Sequence, residues 1–307
     1  MVREIKNIEQ YCFYPILESN AEIYDTPIIL FNKSWKIVND YWMKHIHIKI
    51  TDKCDAHCPF CIERESHIKE NKQHLLDNLQ VLLREMANQN HLATVSITGG
   101  EPSLCEYTGE VIDCVKQYNT FLNVNTNFHN IIHSHYDPDW INISRHSLER
   151  SDNYTGLRDI DKEALKEYRI SHPLTKVRIQ CVLHPFGLHT IDEIRYFIEY
   201  YSDIADDFSF RRLINTTNEA PKDDLFQQLK HFLYSNADFV EQVTKDYYVY
   251  ETWKYKGMNI TLSHSDMRLL CSLEKIEEDS ILREIIIHPD GLVSGSWYRD
   301  KRKIISL

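Results

Sequence analysis

The sequence predicts an α/β fold in which six strands and their crossover helices form a partial (β/α)6 barrel, with an N-terminal extension and a C-terminal cap that includes a hairpin. Strand-length runs alternate with helix-period runs from residue 45 to about residue 215. Within each strand-like run, polar and apolar residues alternate. A chain of 307 residues with 42% hydrophobic content is also long enough to bury a continuous core.

In chain order, strands are expected at 45–51, 93–98, 121–126, 140–144, 177–183 and 207–213, and helices at 75–88, 107–118, 161–168 and 191–201. Strand, helix, strand in repetition gives parallel strands joined by right-handed crossovers. The polar set falls on one face: His45, His47, Lys49 and Thr51 alternate with Ile46, Ile48 and Ile50, and Arg178 and Gln180 with Ile179 and Cys181. Asn123, Asn125, Asn142, Ser144, Ser209 and Arg211 continue the pattern. Helices outside the strands claim the apolar face, so the polar face lines the barrel interior. TIM-like barrels normally fill that space with branched apolar side chains, so a polar lumen points to bound small molecules. An antiparallel sheet with one wet face would alternate similarly but leaves the helices unexplained.

The expected division is therefore 1–44 extension, 45–215 core and 216–307 cap. In the cap, 225–233 and 238–245 read as helices, 259–262 as a strand, and 283–287 with 292–296 as a hairpin across Pro289, Asp290 and Gly291.

A net charge of −11 disfavours broad nucleic-acid binding. The absence of a long apolar run and of a basic, apolar N-terminal leader predicts a cytoplasmic protein with no membrane association. In that compartment eight cysteines read as metal ligands or buried thiols.

Three of them, Cys54, Cys58 and Cys61, share one loop after the first strand. Three thiolates leave one coordination position open, as catalytic centres do; zinc with His67 as fourth ligand is the competing arrangement. After the second strand comes Thr98-Gly99-Gly100-Glu101-Pro102, whose glycines permit close backbone approach and whose carboxylate suits an ammonium group.

The cysteine triplet and TGGEP segment resemble the motifs of radical S-adenosylmethionine enzymes over residues 43–215. The resemblance implies one [4Fe-4S] cluster on Cys54, Cys58 and Cys61 and S-adenosylmethionine as cofactor. It also implies an electron donor such as flavodoxin or ferredoxin. Phe60 then lies near the adenine, Gly99, Gly100, Glu101 and Pro102 near the methionine portion, and Asn125, Asn127 and Ser144 near the ribose. Gln180 joins this set, and Arg178 and Arg211 are alternative partners for the cofactor carboxylate. Phe128 departs from the glycine frequent at its position in the family.

His45, His47, Lys49, Arg145, His146, Arg178, Arg211 and Arg212 gather potential positive charge at the lumen and strand ends of an acidic protein. This favours a small anionic substrate. Within the family the outline is closest to the branch containing the molybdenum-cofactor GTP cyclase and viperin. That cyclase carries three further cysteines near its C-terminus, whereas Cys271 alone stands here, so one cluster is expected. Modification of a ribosomal peptide is the second enzymatic reading, and a zinc- or iron-sulfur-binding module the non-enzymatic one.

Overall fold

The computed structural model describes residues 27–37, 45–61, 68–130, 137–149, 152–213, 225–245, 248–265, 278–297 and 302–305. Six parallel strands form the centre: β3 (His45–Lys49), β4 (Thr94–Thr98), β5 (Phe121–Thr126), β6 (Trp140–Ser144), β7 (Lys176–Leu183) and β8 (Asp207–Arg212). They lie side by side in chain order. Two short strands precede them, β1 (Ile28–Leu30) and β2 (Lys33–Ile37). Helices α1 (Lys72–Asn88), α2 (Thr108–Lys116), α3 (Lys162–Ser171) and α4 (Ile191–Tyr201) occupy four of the five crossovers.

The period-two pattern explains the layering. Ile46, Ile48, Val95, Ile97, Val124, Ile141, Ile143, Ile179, Phe208 and Phe210 are fully buried on the helix side. Opposite them pack Leu75, Leu79, Leu82 and Leu83 of α1, Val111 and Val115 of α2, Leu165 of α3, and Ile194 and Phe197 of α4. Burying each such side chain contributes about 1.5–3 kcal/mol. Local chemistry agrees: Thr190 caps α4 by accepting from the Glu193 amide at 3.1 Å, while the Glu193 carboxylate accepts from the Thr190 amide at 3.3 Å.

The C-terminal residues add strands to both edges of this sheet. After α5 (Leu225–Asn236), β9 (Asp238–Lys245), β10 (Tyr248–Tyr255) and β11 (Met258–Ser265) form an antiparallel ribbon whose β11 pairs in parallel with β8. Of the remaining strands, β12 (Ile281–Leu282) joins β2 in a small separate sheet. At the other edge β13 (Ile285–Ile287) pairs with β3, followed by β14 (Val293–Ser294) and β15 (Lys303–Ile305). The expected hairpin is thus β13 and β14.

One expectation is corrected: 238–245 is a strand, not a helix. Its Val240, Val243 and Thr244 favour extended backbone, and β10 satisfies its hydrogen bonds through a near-continuous register. Strand β10 itself, rich in tyrosine, turns into β11 through Lys256 and Gly257, both with positive φ (49° and 84°). That pair suits a two-residue hairpin turn.

Candidate cluster and cofactor site

The polar face of the parallel strands is closed at the strand starts and open at the strand ends. Ser96, Asn123, Asn142 and Arg178 are buried, whereas Thr98, Asn125, Ser144 and Gln180, one step further along the same faces, keep partial exposure. The closed end is a polar network. Ser96 donates to Asn123 Oδ1 at 2.7 Å, and the Asn142 amide donates to the side-chain Oδ1 atoms of Asn123 and Asn125, both at 3.1 Å. Below it Arg178 pairs with Asp207 and stacks 4.6 Å from the Trp140 ring centroid. Burial raises the Asp207 carboxyl, and the Arg178 charge opposes that rise.

The cysteine loop crosses the open end, where neighbouring loops hold it on three sides. Gly100 N–H donates to the Thr51 carbonyl at 2.6 Å, and Glu101 N–H to the Lys53 carbonyl at 2.7 Å. A Cβ on Gly100 would lie 2.1 Å from the Lys53 oxygen, and one on Gly99 2.5 Å from the Thr51 oxygen, so the paired glycines let TGGEP lie against the cysteine loop. Buried Glu101 accepts from Ser103 N–H (3.0 Å), the Thr126 hydroxyl (2.7 Å) and Asn127 N–H (2.7 Å), tying this turn to the end of β5.

Asn127 in turn donates to Asp55 of the cysteine loop at 2.5 Å, and His129 Nδ1 lies 2.9 Å from the same carboxylate. Because His129 Nε2 accepts from Arg158 N–H, Nδ1 carries the proton that it donates to Asp55. On the third side, His57 N–H donates to the Thr155 carbonyl at 2.7 Å and its ring packs where a side chain on Gly156 would stand. Asp152 holds that segment in a turn by accepting from Tyr154 and Thr155.

Cys54, Cys58 and Cys61 are all free thiols with some exposure. Burial, reinforced by the neighbouring thiols, pushes Cys58 up to about 12; burial also pushes Cys54 up to about 11, despite the hydrogen bond from Ala56 N–H. Three soft donors in one loop suit iron-sulfur or zinc ligation. Among the described residues, no three His, Cys, Asp or Glu side chains are gathered as a single ion requires. A cubane makes a different demand, each thiolate going to a separate iron. His67, Cys12 and Cys271 lie outside the described residues.

The structure separates the sequence candidates. Phe60 sits among His146 (5.3 Å between centroids) and His184 (5.1 Å), with Tyr154 stacked on His184. Ser144 and Gln180 stand opposite one another in register at the open end, near Asn125. The two arginines differ: Arg178 is committed to the closed end because a fully buried guanidinium needs its carboxylate, while Arg211 is exposed. Arg145 lies on the helix side, its Nε donating to Tyr201 at 3.1 Å. His45, His47 and His146 leave the cationic set, since burial above all holds their pKa values well below the usual range.

Phe128 has φ of 61°, the left-handed region that glycine favours. The Thr126 hydroxyl accepts its N–H, and its ring is buried beside Tyr168. Sequence reasoning missed Asp55, His57, His129 and Asp152. Asp152 carried a signal, an aspartate four residues before a glycine between a strand and a helix. The others are legible only once the loops are adjacent.

No family model matches the chain. GTP 3',8-cyclases from two strains of Clostridium perfringens are 31% identical over 77 residues, which is 24% of this chain and 23% of theirs. The chain therefore spans about a quarter of the curated relatives it matches. Streptococcus suis SuiB bound to S-adenosylmethionine superposes with a TM-score of 0.56 at 15% identity, covering 85% of this chain and 63% of that one. The protein anSMEcpe with bound AdoMet gives 0.53 at 13% identity, covering 85% and 76%. At 15% and 13% identity these likenesses show the fold, which this chain shares with both S-adenosylmethionine-bound structures.

Proposed function

We propose that the chain is a radical S-adenosylmethionine enzyme acting on a small anionic substrate, nucleotide-like or carboxylate-like, inside the lumen. The observation that carries this reading is the lumen itself, closed at the strand starts, open at the strand ends, and crossed there by the three-cysteine loop. Cys54, Cys58 and Cys61 would hold one [4Fe-4S] cluster, whose reduction with S-adenosylmethionine bound supplies a 5′-deoxyadenosyl radical for hydrogen abstraction. The protein's part is to orient and exclude. Gly99, Gly100, Glu101 and Pro102 would face the methionine portion, and Asn125, Asn127, Ser144 and Gln180 the ribose. Phe60 would lie against the adenine.

Curvature of the six strands into a partial barrel belongs to the same reading. Five strand spacings in a flat sheet would separate β3 from β8 by about 24 Å. Yet Arg211 on β8 acts electrostatically on His47 of β3. Residues 45–215 then form the catalytic core, with 1–44 and 216–307 around it. A cytoplasmic setting with flavodoxin or ferredoxin as donor suits free thiols and a reducible cluster. Among the described residues no helix is long and apolar enough to cross a membrane.

Peptide modification is a second reading, favoured by one observation: SuiB was also solved bound to its precursor peptide SuiA, with a TM-score of 0.54. Anaerobic reconstitution followed by reduction with S-adenosylmethionine decides the main claim. About four irons per chain and 5′-deoxyadenosine that disappears in Cys58→Ala are expected. Zinc uptake without iron would show a binding module instead.

A further inference from the structure

We propose that the lumen wall where β3 faces β8 and β11 is an oxyanion site, in which Lys49, Arg211, Thr261 and Ser263 hold the carboxylate or phosphate of a small-molecule substrate beside Trp297. This rests on the reading above and assigns residues to the substrate's charged end.

Arg211 is exposed at the end of β8, and among the described residues no ion pair holds it. Its register partner on β11 is Ser263, and Thr261 stands beside Ser209 one step deeper. Both hydroxyls belong to residues only 2% exposed, and neither has a hydrogen-bond partner. A buried hydroxyl left so is destabilising, and a ligand acceptor would relieve that cost. The opposite wall is β3, where buried Lys49 places its ammonium 3.4 Å from the Trp297 carbonyl and 5.1 Å from that ring's centroid. The same indole lies 4.6 Å from His47. Both charges acting on His47 are positive, Lys49 and Arg211, so the two cations share one region of the lumen. At the closed end Arg178 has Asp207, whereas Arg211 has no ion pair among the described residues. Two cations, two unpartnered hydroxyls and an indole match an oxyanion on a small, flat or apolar body.

The test is calorimetric titration of the reconstituted protein with inorganic pyrophosphate and, separately, succinate. Saturable binding of either supports the site and tells a phosphate from a carboxylate preference. Binding should weaken about tenfold in Lys49→Gln and in Arg211→Gln, and severalfold in Ser263→Ala. Arg84→Gln, on the exposed side of α1, should leave it unchanged. Ser263→Ala removes an unsatisfied hydroxyl and should fold at least as well as the parent, so it carries the test if a cation variant fails to fold. Binding of neither anion, or binding indifferent to Arg211 and Ser263, overturns the assignment. Following 5′-deoxyadenosine in parallel separates the two claims: cofactor cleavage without anion binding sinks this site alone. Anion binding without cleavage retains the site and sinks the radical reading.

Discussion

Burial, followed by Lys49 and Arg211, holds His47 at about 3, and burial, followed by His184, holds His146 at about 3, against an ordinary value of 6.5. His146 is neutral for a visible reason: its Nδ1 accepts from Val182 N–H at 3.1 Å. Below pH about 6.5 the unfolded chain takes up protons that the folded chain refuses, so stability is full above that value and falls as pH drops toward 3. The expected loss is about 2 kcal/mol per histidine at pH 5. Thermal melts between pH 7.5 and pH 5 should show it, and His146→Asn, whose amide oxygen can accept the same N–H, should flatten the slope. A second residue-scale prediction concerns Gly100. Its contact with the Lys53 oxygen leaves no room for a methyl group, so Gly100→Ala should cost about 1–3 kcal/mol by forcing the two loops apart. Iron per chain after reconstitution should fall in this variant even at temperatures where circular dichroism shows it folded.

At the scale of elements, the β10–β11 turn offers the cleanest test of backbone conformation. Nothing lies within 4 Å of a Cβ built on Gly257, so a substitution there meets no obstacle and reports only on its positive φ. Gly257→Val should destabilise by about 1–2 kcal/mol while Gly257→Asn is nearly neutral, as read by chemical denaturation. This turn also marks where the sequence was legible. The six parallel strands and four helices follow from period-two and period-3.6 runs, because each buries one face against the other layer. The ribbon of β9 to β11 was harder to see. Phe239, Val240 and Val243 recur at intervals of one and three that also suit a helix, and only the neighbouring tyrosine-rich strand decides between them. In the site, Cys54, Cys58 and Cys61 were visible because three cysteines share one short loop. Asp55, His57 and His129 were not, because each acts on a partner 70 or more residues away, and no local spacing encodes that.

For the whole molecule, the two ends of the polar sheet face divide the labour. The strand-start end is sealed by the Arg178–Asp207 pair, 0% and 2% exposed at their side chains, over the amide network of Asn123, Asn125 and Asn142. The strand-end side keeps its polar groups accessible beneath the cysteine loop. A buried ion pair adds little net stability, since desolvation offsets attraction, but removing one partner strands the other charge. Asp207→Asn should therefore destabilise by about 3–5 kcal/mol, whereas Arg178→Met combined with Asp207→Leu should recover most of that loss. Denaturant midpoints of the Asp207→Asn and double variants, each against the parent, make the comparison. Because the pair lies at the sealed end, the double variant should still take up iron and bind S-adenosylmethionine as the parent does. Loss of cofactor binding in a stable double variant would mean instead that the sealed end also sets the geometry of the open one.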